Sequence, residues 1–462
     1  MNISFHGADR GVTGSCHLIH CSGKNILIDC GMYQGGHELD EENSKPFGFD
    51  PTKIDYVLLT HAHLDHCGRL PLLVKRGFRG EIITTSASRA LARVVMMDAA
   101  GLQEEEARYQ ARKHHRRGEQ TDADPLYATV DALNTLDYFG RTADYEKPIA
   151  ITPDIQATFY DAGHILGSAS IVLALNENGI KRTVAFSGDL GNAGRKLLRD
   201  PTPLPPVDVV VMETTYGDRL HRSLDGSIAE LYLAINDAKA RGGNIIISTF
   251  ALERTQELLF YLREGVEQGS LPRGMQVFLD SPMAISATEI FKRYPDCYTP
   301  ATAALFAHGQ DPFNMPGLHF TRETSQSMAI NNIVGGAVIM AGSGMCTGGR
   351  VRHHLKHNLW RNDSSIIFVG YAANGTLARQ IIDGASKVKI FGEEIAVKAK
   401  IYTINGFSAH ADRDELLAWH RHIHPARTFL VHGEEPVMQK FAALISDSVI
   451  EIPTRGQTFD LS

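Results

Sequence analysis

The hexapeptide His61-Ala62-His63-Leu64-Asp65-His66 carries three imidazoles and a carboxylate within six residues, nitrogen and oxygen donors of the kind that zinc accepts. It follows the apolar, β-branched run from Ile54 to Thr60, which has the character of a buried strand, and precedes a helix-like stretch from Cys67 to Leu73. The hexapeptide is therefore expected in a loop at the C-terminal end of a strand, the edge of an α/β sheet where ligands bind. Its donors cannot all point one way from a single strand or helical turn. Splayed, they can surround two metal ions a few Å apart. Solvated loop histidines are the plain alternative, and distant partners decide between the two.

Two such partners end predicted strands further on. The runs Ala157–His164 and Arg182–Asp189 both finish on a metal-competent residue preceded by glycine, and glycine permits the sharp turn that brings backbone close to an ion. His164 and Asp189 thus join His61, His63, Asp65 and His66 as candidate ligands. A carboxylate such as Asp189 can bridge two ions that share one water, and a zinc pair both acidifies that water and neutralises phosphoryl oxygens, a combination suited to hydrolysis. Asp29, at the end of the strand Asn25–Ile28, reads either as a turn-former or as a carboxylate that orients the metal-site loop.

The elements that must position these residues fall into distinct stretches. Residues 1 to about 60 alternate short apolar runs with glycine-rich turns, as in a β-meander. Between 86 and 147 a helical stretch from Gln103 to Arg117 carries acidic residues first and basic residues last, with Glu104 four positions ahead of Arg108. Its basic end is expected to be a solvated face, phosphate contact being the alternative. Strands resume at Ile149, and Pro201–Pro206 reads as a linker. Strand and helix units then alternate, starting at Gly243, Gln276, Ala337 and Ser365, which predicts a parallel sheet with helices on both faces in an inserted domain. The short-strand style returns near Lys398. The expected domains are 1–205, 206–397 inserted, and 398–462 completing the first.

The chain has 462 residues with a net charge of −7 and 43% hydrophobic composition, an ordinary globular balance with room for two domains. Nothing global announces nucleic acid, although the field at a groove depends on arrangement and not on total charge. No apolar stretch is long enough to span a bilayer and the start of the chain lacks signal-peptide features, so a cytoplasmic protein without membrane partners is expected. The six cysteines form no CxxC pair, which fits a reducing compartment and argues against disulfides and cysteine-ligated zinc.

Three further motifs stand in order along the chain: Glu213-Thr214-Thr215-Tyr216-Gly217, Gly406-Phe407-Ser408-Ala409-His410-Ala411-Asp412 and Val431-His432-Gly433-Glu434. With the HxHxDH loop, the later histidine and the later aspartate, they resemble the metallo-β-lactamase superfamily, and within it the β-CASP branch of RNA-processing nucleases, such as the cleavage and polyadenylation endonuclease subunit and its prokaryotic homologues. The resemblance covers nearly the whole chain. It implies an α/β fold: a four-layer αββα metallo-β-lactamase domain with an inserted parallel-sheet α/β (β-CASP) domain. It implies two zinc ions, the first on His61, His63, His164 and Asp189 and the second on Asp65, His66, the shared Asp189 and His432. It makes Asp65, Glu213 and His410 catalytic, with His410 the general acid held protonated by Glu213, a pairing that favours the imidazolium and fixes which ring nitrogen faces the substrate. Thr214 departs from the serine of many relatives, with little consequence expected.

In the second domain the glycine-rich turn Ala341–Arg350 between a strand and a basic helix offers backbone amides with Ser343 and Thr347 for a phosphate. This stretch resembles the family's corresponding segment, as do Phe250–Arg254, Ser281–Ala284 and Gly370–Leu377. Arg254, Ser281, Ser343 and Thr376 are accordingly expected on an RNA path, a purely structural role being the alternative for each. The reading is a zinc-dependent ribonuclease acting on single-stranded RNA in an interdomain cleft, with endonucleolytic processing or decay favoured over 5′ exonuclease action and a homodimer expected. A small-molecule hydrolase of the lactamase or glyoxalase type would need no inserted domain, and a non-catalytic RNA-binding subunit would be expected to lack ligands. No RNA-binding module precedes the first strand, so any sequence preference is expected from the cleft or a partner.

Overall fold

The computed structural model describes all residues except 36, 116–123, 371, 373 and 374. Among the described residues the strands build two seven-stranded sheets, a six-stranded sheet and a two-stranded ribbon, and the chain divides into two compact units, residues 1–220 with 410–462 and residues 221–409.

In the first unit, Asn2–Phe5, His17–Cys21 and Lys24–Ile28 form the antiparallel meander expected from their alternation. Tyr56–Leu58, Glu81–Thr85 and Phe139–Ala143 extend it in parallel, and Thr458–Asp460 pairs along its other edge. The second sheet runs Val449–Glu451, Arg427–Val431, Val209–Glu213, Ile180–Phe186, Ala169–Glu177, Ile155–Asp161, Ile149–Thr152. Because side chains alternate along a strand, each sheet has two apolar faces to cover. Ile3, Phe5, Ile19 and Ile26 of the first sheet share one buried cluster with Phe159, Ile171, Leu173 and Phe186 of the second, so the sheets stack face to face. On the second sheet's outer face Val172, Ala185, Met212 and Leu430 pack on Leu416, Leu417, Met438 and Phe441 of the helices Arg413–Ile423 and Glu435–Ala442. The first sheet's outer residues Leu27, Val57 and Ile82 are buried as well, beside the helices Leu70–Lys75 and Ser86–His115. The result is the four-layer αββα order.

Pro201–Pro206 is not a solvated spacer: Leu204 and Val207 are buried in the helix-side cluster and lead directly into the strand Val209–Glu213. The acidic start of the long helix also has a structural use, since Glu104 accepts the Thr129 amide at 2.7 Å. Arg112 and Lys113 near its end are exposed, whereas Arg116 and Arg117 lie outside the described residues.

The second unit holds an all-parallel sheet ordered Leu318–Phe320, Gln276–Leu279, Ala337–Ala341, Ile245–Ser248, Ser365–Phe368, Lys400–Thr403. Ile246, Ile339, Ile366 and Phe368 pack on Val351 and Leu355 of the helix Val351–Asn358 and on Ala378 and Ile381 of the helix Leu377–Ile382. Residues of the opposite parity, Ile245, Ile247, Val338 and Met340, are equally buried, which matches the continuous apolar runs of a sheet covered on both faces. No helix among the described residues is long and apolar enough to cross a membrane.

Candidate metal centre

The loop 61–66 leaves the strand Tyr56–Leu58 and enters a short helix, Leu64–Cys67. His164, Asp189, Glu213 and His432 likewise lie at or just beyond the C-terminal ends of Ile155–Asp161, Ile180–Phe186, Val209–Glu213 and Arg427–Val431. Gly163 and Gly188 adopt positive φ angles of 63° and 57°, the left-handed turns that aim His164 and Asp189 inward.

These side chains converge in two donor groups. In the first, His61 Nε2 and His164 Nε2 each stand 3.1 Å from His63 Nδ1, and Asp189 Oδ2 lies 3.4 Å from His61 Nε2 and 3.5 Å from His164 Nε2. In the second, His66 Nε2 is 3.2 Å from His432 Nε2 and 3.3 Å from Asp189 Oδ1, and His432 Nε2 is 3.4 Å from Asp65 Oδ2. Ligands held tetrahedrally at zinc–nitrogen distances lie about 3.3 Å from one another, so both groups have the spacing of an ion's coordination shell. Asp189 faces each group with a different oxygen, and its buried Oδ1 accepts no hydrogen bond among the described residues. A buried oxygen without a donor is costly, and a cation satisfies it.

The ring nitrogens on the far side explain why lone pairs face inward. Asp29 Oδ2 accepts from His66 Nδ1 at 2.7 Å and from the Thr60 hydroxyl at 2.8 Å, and Thr60 Oγ1 in turn sits 3.0 Å from His61 Nδ1. One carboxylate thereby holds both imidazoles with Nδ1 protonated and Nε2 free to ligate. Thr215 does the same for His432, its Oγ1 lying 3.2 Å from Nδ1 while donating to the His432 carbonyl at 3.1 Å. Thr60 and Thr215 escape a reading of the sequence, because a threonine at a strand end is unremarkable until its partner is known. Thr214 donates to the Val431 carbonyl at 3.0 Å and closes on Gly433, so its hydroxyl ties two strands together.

Burial keeps His61 and His63 neutral, pushing their pKa values down to about 3 and about 4, and carries His164 well below the usual range. Burial opposes ionisation of Asp189, but the facing imidazoles of His432 and His66 outweigh it and hold that carboxyl well below the usual range. The first donor group therefore already contains neutral imidazole beside ionised carboxylate, the forms that bind a cation, whereas in the second the facing carboxylates outweigh burial and raise His66 and His432 toward the imidazolium, so a cation bound there would displace protons.

Beside this pair of groups, His410 Nδ1 contacts both oxygens of Glu213 at 3.1 Å, while its Nε2 lies 4.0 Å from Asp189 Oδ2. Glu213 is fixed by the Leu190 amide at 2.7 Å. Burial disfavours the charged imidazole, but Glu213 and then Asp189 reverse this and raise His410 to about 9.

The residues expected on the RNA path have local partners in the second unit. Ser281 and Thr376 cap helices by accepting the Ala284 and Arg379 amides, and buried Arg254 pairs with Glu257. Ser343 lies 3.4 Å from Thr347 in the glycine-rich turn. Of the Gly370–Leu377 segment, 371, 373 and 374 lie outside the described residues.

Comparison with known proteins agrees with this geometry. The metallo-β-lactamase superfamily model matches residues 9–167, the Beta-Casp domain model residues 255–381, and the Zn-dependent metallo-hydrolase RNA specificity domain model residues 394–453. The chain is 39% identical over 462 residues to a protein of Thermus thermophilus named Ribonuclease TTHA0252, covering 100% of this chain and 98% of the relative. It is 31% identical to Transcription termination factor FttA of Methanocaldococcus jannaschii and 33% identical to that of Pyrococcus horikoshii, covering 96% and 94% of this chain but 68% and 66% of those proteins. Among solved structures, a protein of unknown function from Enterococcus faecalis shares the fold, with a TM-score of 0.55 at 12% identity over 99% of both chains. The chain belongs to the metallo-β-lactamase superfamily and carries an inserted β-CASP domain.

Proposed function

We propose that the protein is a zinc-dependent ribonuclease that hydrolyses RNA phosphodiester bonds at a two-metal centre. His61, His63, His164 and Asp189 Oδ2 would hold one ion, and Asp65, His66, His432 and Asp189 Oδ1 the other. The observation that carries this reading is the division of Asp189, one oxygen toward each donor group at 3.3 to 3.5 Å. Two zinc ions bound there supply an acidified water and neutralise charge on the phosphoryl oxygens.

The chain's own side chains do the remaining work. Asp29, Thr60 and Thr215 keep ring N–H groups turned outward, so the ligand set needs no reorganisation. Glu213 holds His410 by Nδ1, which leaves protonated Nε2 toward the centre to give its proton to the departing oxygen. RNA as substrate is supported by the matched RNA specificity domain and by the name of the Thermus relative. We assign the exposed turn bearing Ser343 to the RNA path, with Arg254, Ser281 and Thr376 supporting it from the helix starts they occupy. The free thiols of all six cysteines support a reducing, cytoplasmic setting.

The deciding experiment compares wild type with His410→Ala on internally labelled linear and circular RNA, with thioester and lactam substrates alongside. Wild type is expected to cut both RNAs and neither small substrate. The variant is expected to retain two zinc ions per chain by mass spectrometry and to lose at least about a hundredfold in rate. Full turnover by the variant removes His410 from the mechanism, and cutting of linear RNA alone makes the enzyme an exonuclease, whose direction 5′-end and 3′-end labels then read.

A further inference from the structure

The helix Val351–Asn358 in the second unit buries Val351, His354 and Leu355 against the sheet. The spacing of an α-helix then turns His353 and His357 to the outside, four residues apart, and Trp360, two residues past the helix end, is exposed as well. Trp360 is 54% exposed, a large apolar ring that the core does not use. The hairpin Lys387–Ile390 and Glu393–Ala396 lies along the same helix. Its turn residue Phe391, 45% exposed, meets His353 at 4.4 Å between ring centroids and carries the Arg352 guanidinium at 4.6 Å. Glu393 pairs with Lys356 at 2.6 Å, and beyond the hairpin the Lys398 amide donates to the Leu359 carbonyl at 2.9 Å. Helix and hairpin thus run side by side, and exposed Lys398 is tied next to Trp360.

The strip has the exposed Trp360 ring at one end and the half-exposed Phe391, with Arg352 and His353 against it, at the other, exposed His357 between, and the cations Arg352, Lys356, Lys387, Lys389 and Lys398 against Glu393 and Glu394. In a chain of net charge −7 this is a local reversal of sign. A protein-binding patch of this size is expected to shed charge at its centre, whereas single-stranded nucleic acid calls for aromatic faces on which bases stack and cations that follow the phosphates. Burial and cationic neighbours hold both His353 and His357 below the ordinary imidazole range, so they are neutral stacking surfaces near pH 7.

We infer that the exposed face of the helix Val351–Asn358 and the adjoining hairpin form an accessory track for single-stranded RNA, with Phe391 and Trp360 stacking bases and Arg352 and Lys398 facing phosphates. The inference rests on the reading of the protein as an RNA hydrolase and adds a second place of RNA contact. The strip covers about 10 Å of helix rise between His353 and Trp360, room for a few nucleotides of a longer substrate.

The test uses zinc-loaded full-length protein and RNAs of about 8 and about 40 nucleotides. The double variant Trp360→Ala, Phe391→Ala is expected to raise KM for the longer RNA about tenfold or more, at unchanged kcat and with unchanged kinetics on the short one. Lys398→Ala is expected to lower the slope of log affinity against log salt for the longer RNA by about 0.7. Photo-cross-linking with 4-thiouridine RNA is expected to label peptides containing Trp360 or Phe391. Wild-type cutting of RNA with equal KM for both lengths in the double variant, or cross-links absent from these peptides, overturns the track while leaving the nuclease reading intact. Wild type that neither binds nor cuts RNA removes both. A wild-type dimer that the double variant converts to monomer by sedimentation shows the strip to be a protein interface and overturns the proposal.

Discussion

Asp29 lies behind the donor groups, yet its oxygens receive the Thr60 amide and hydroxyl at 2.8 Å each and the His66 ring at 2.7 Å. Removing it frees two imidazoles to take the wrong tautomer. Asp29→Ala is therefore expected to weaken zinc binding about 10- to 100-fold, measured by competition with a chelator, with circular dichroism showing the fold retained. Thr60→Val, which keeps the shape and deletes the hydroxyl, is expected to give a smaller loss in the same assay through His61 alone. Unchanged affinity in both variants would mean that the ring orientations are set by packing and not by this relay. The contrast between these two residues also marks what a sequence discloses. Histidines and aspartates concentrated in one loop announce metal chemistry from composition, whereas a threonine acts through a partner roughly thirty residues away, and only the folded chain shows which one.

Short elements raise the same difficulty at a larger scale. The strands Val209–Glu213 and Lys400–Thr403 are each apolar or alternating runs of a few residues, and nothing in such a run says which sheet accepts it. The first joins the second seven-stranded sheet of the unit holding the metal centre, and the second pairs with Ser365–Phe368 in the parallel sheet. A proline-rich approach reads as a linker because proline suits extended chain, but apolar Leu204 within it is pulled into the core. What a sequence does show well is a pair such as the short apolar run at Ile245 and the longer stretch from Arg254, whose lengths separate a strand from a helix although both are buried on nearly every side.

Asp280 follows the strand Gln276–Leu279 and is fully buried. Its oxygens accept from His354 and Ser327 at 2.6 Å, Thr321 at 2.7 Å and Arg350 at 2.8 Å, joining a strand end to two helices. Burial opposes ionisation, but these donors prevail and lower its pKa to about 2. A carboxyl held below its unfolded value contributes stability that is complete above about pH 4 and is lost as the pH falls toward 2, on the order of 2 kcal/mol. Asp280→Asn is expected to lower stability in urea at pH 6 by roughly 3 kcal/mol and to flatten the pH dependence between 4 and 2. A variant whose stability falls as steeply with acid as wild type would place that dependence elsewhere.

At the scale of the whole chain, an ion held by either donor group would be a clip across two sheets. The loop 61–66 comes from the first seven-stranded sheet, while His164, Asp189 and His432 come from the second. The sheets share an apolar cluster, but at this edge their contact consists of closely spaced imidazoles and carboxylates, among them the buried Asp189 Oδ1 that a cation would satisfy. An ion whose free concentration is about a thousandfold above its dissociation constant would stabilise the folded unit by about 4 kcal/mol, and it would do so by tying segments distant in sequence. Chelation is therefore expected to act unevenly. Hydrogen exchange read by mass spectrometry should show peptides spanning 59–68, 161–168, 186–192 and 430–434 losing protection first and most. The remaining peptides of 1–220 and 410–462 should follow to a lesser degree, and those of 221–409 should stay unchanged. Readdition of zinc should restore the pattern. Equal deprotection of both units would mean that the ions stabilise the molecule through something other than these six loop residues and Asp189, and no change in the named peptides would remove the donor groups as the binding site.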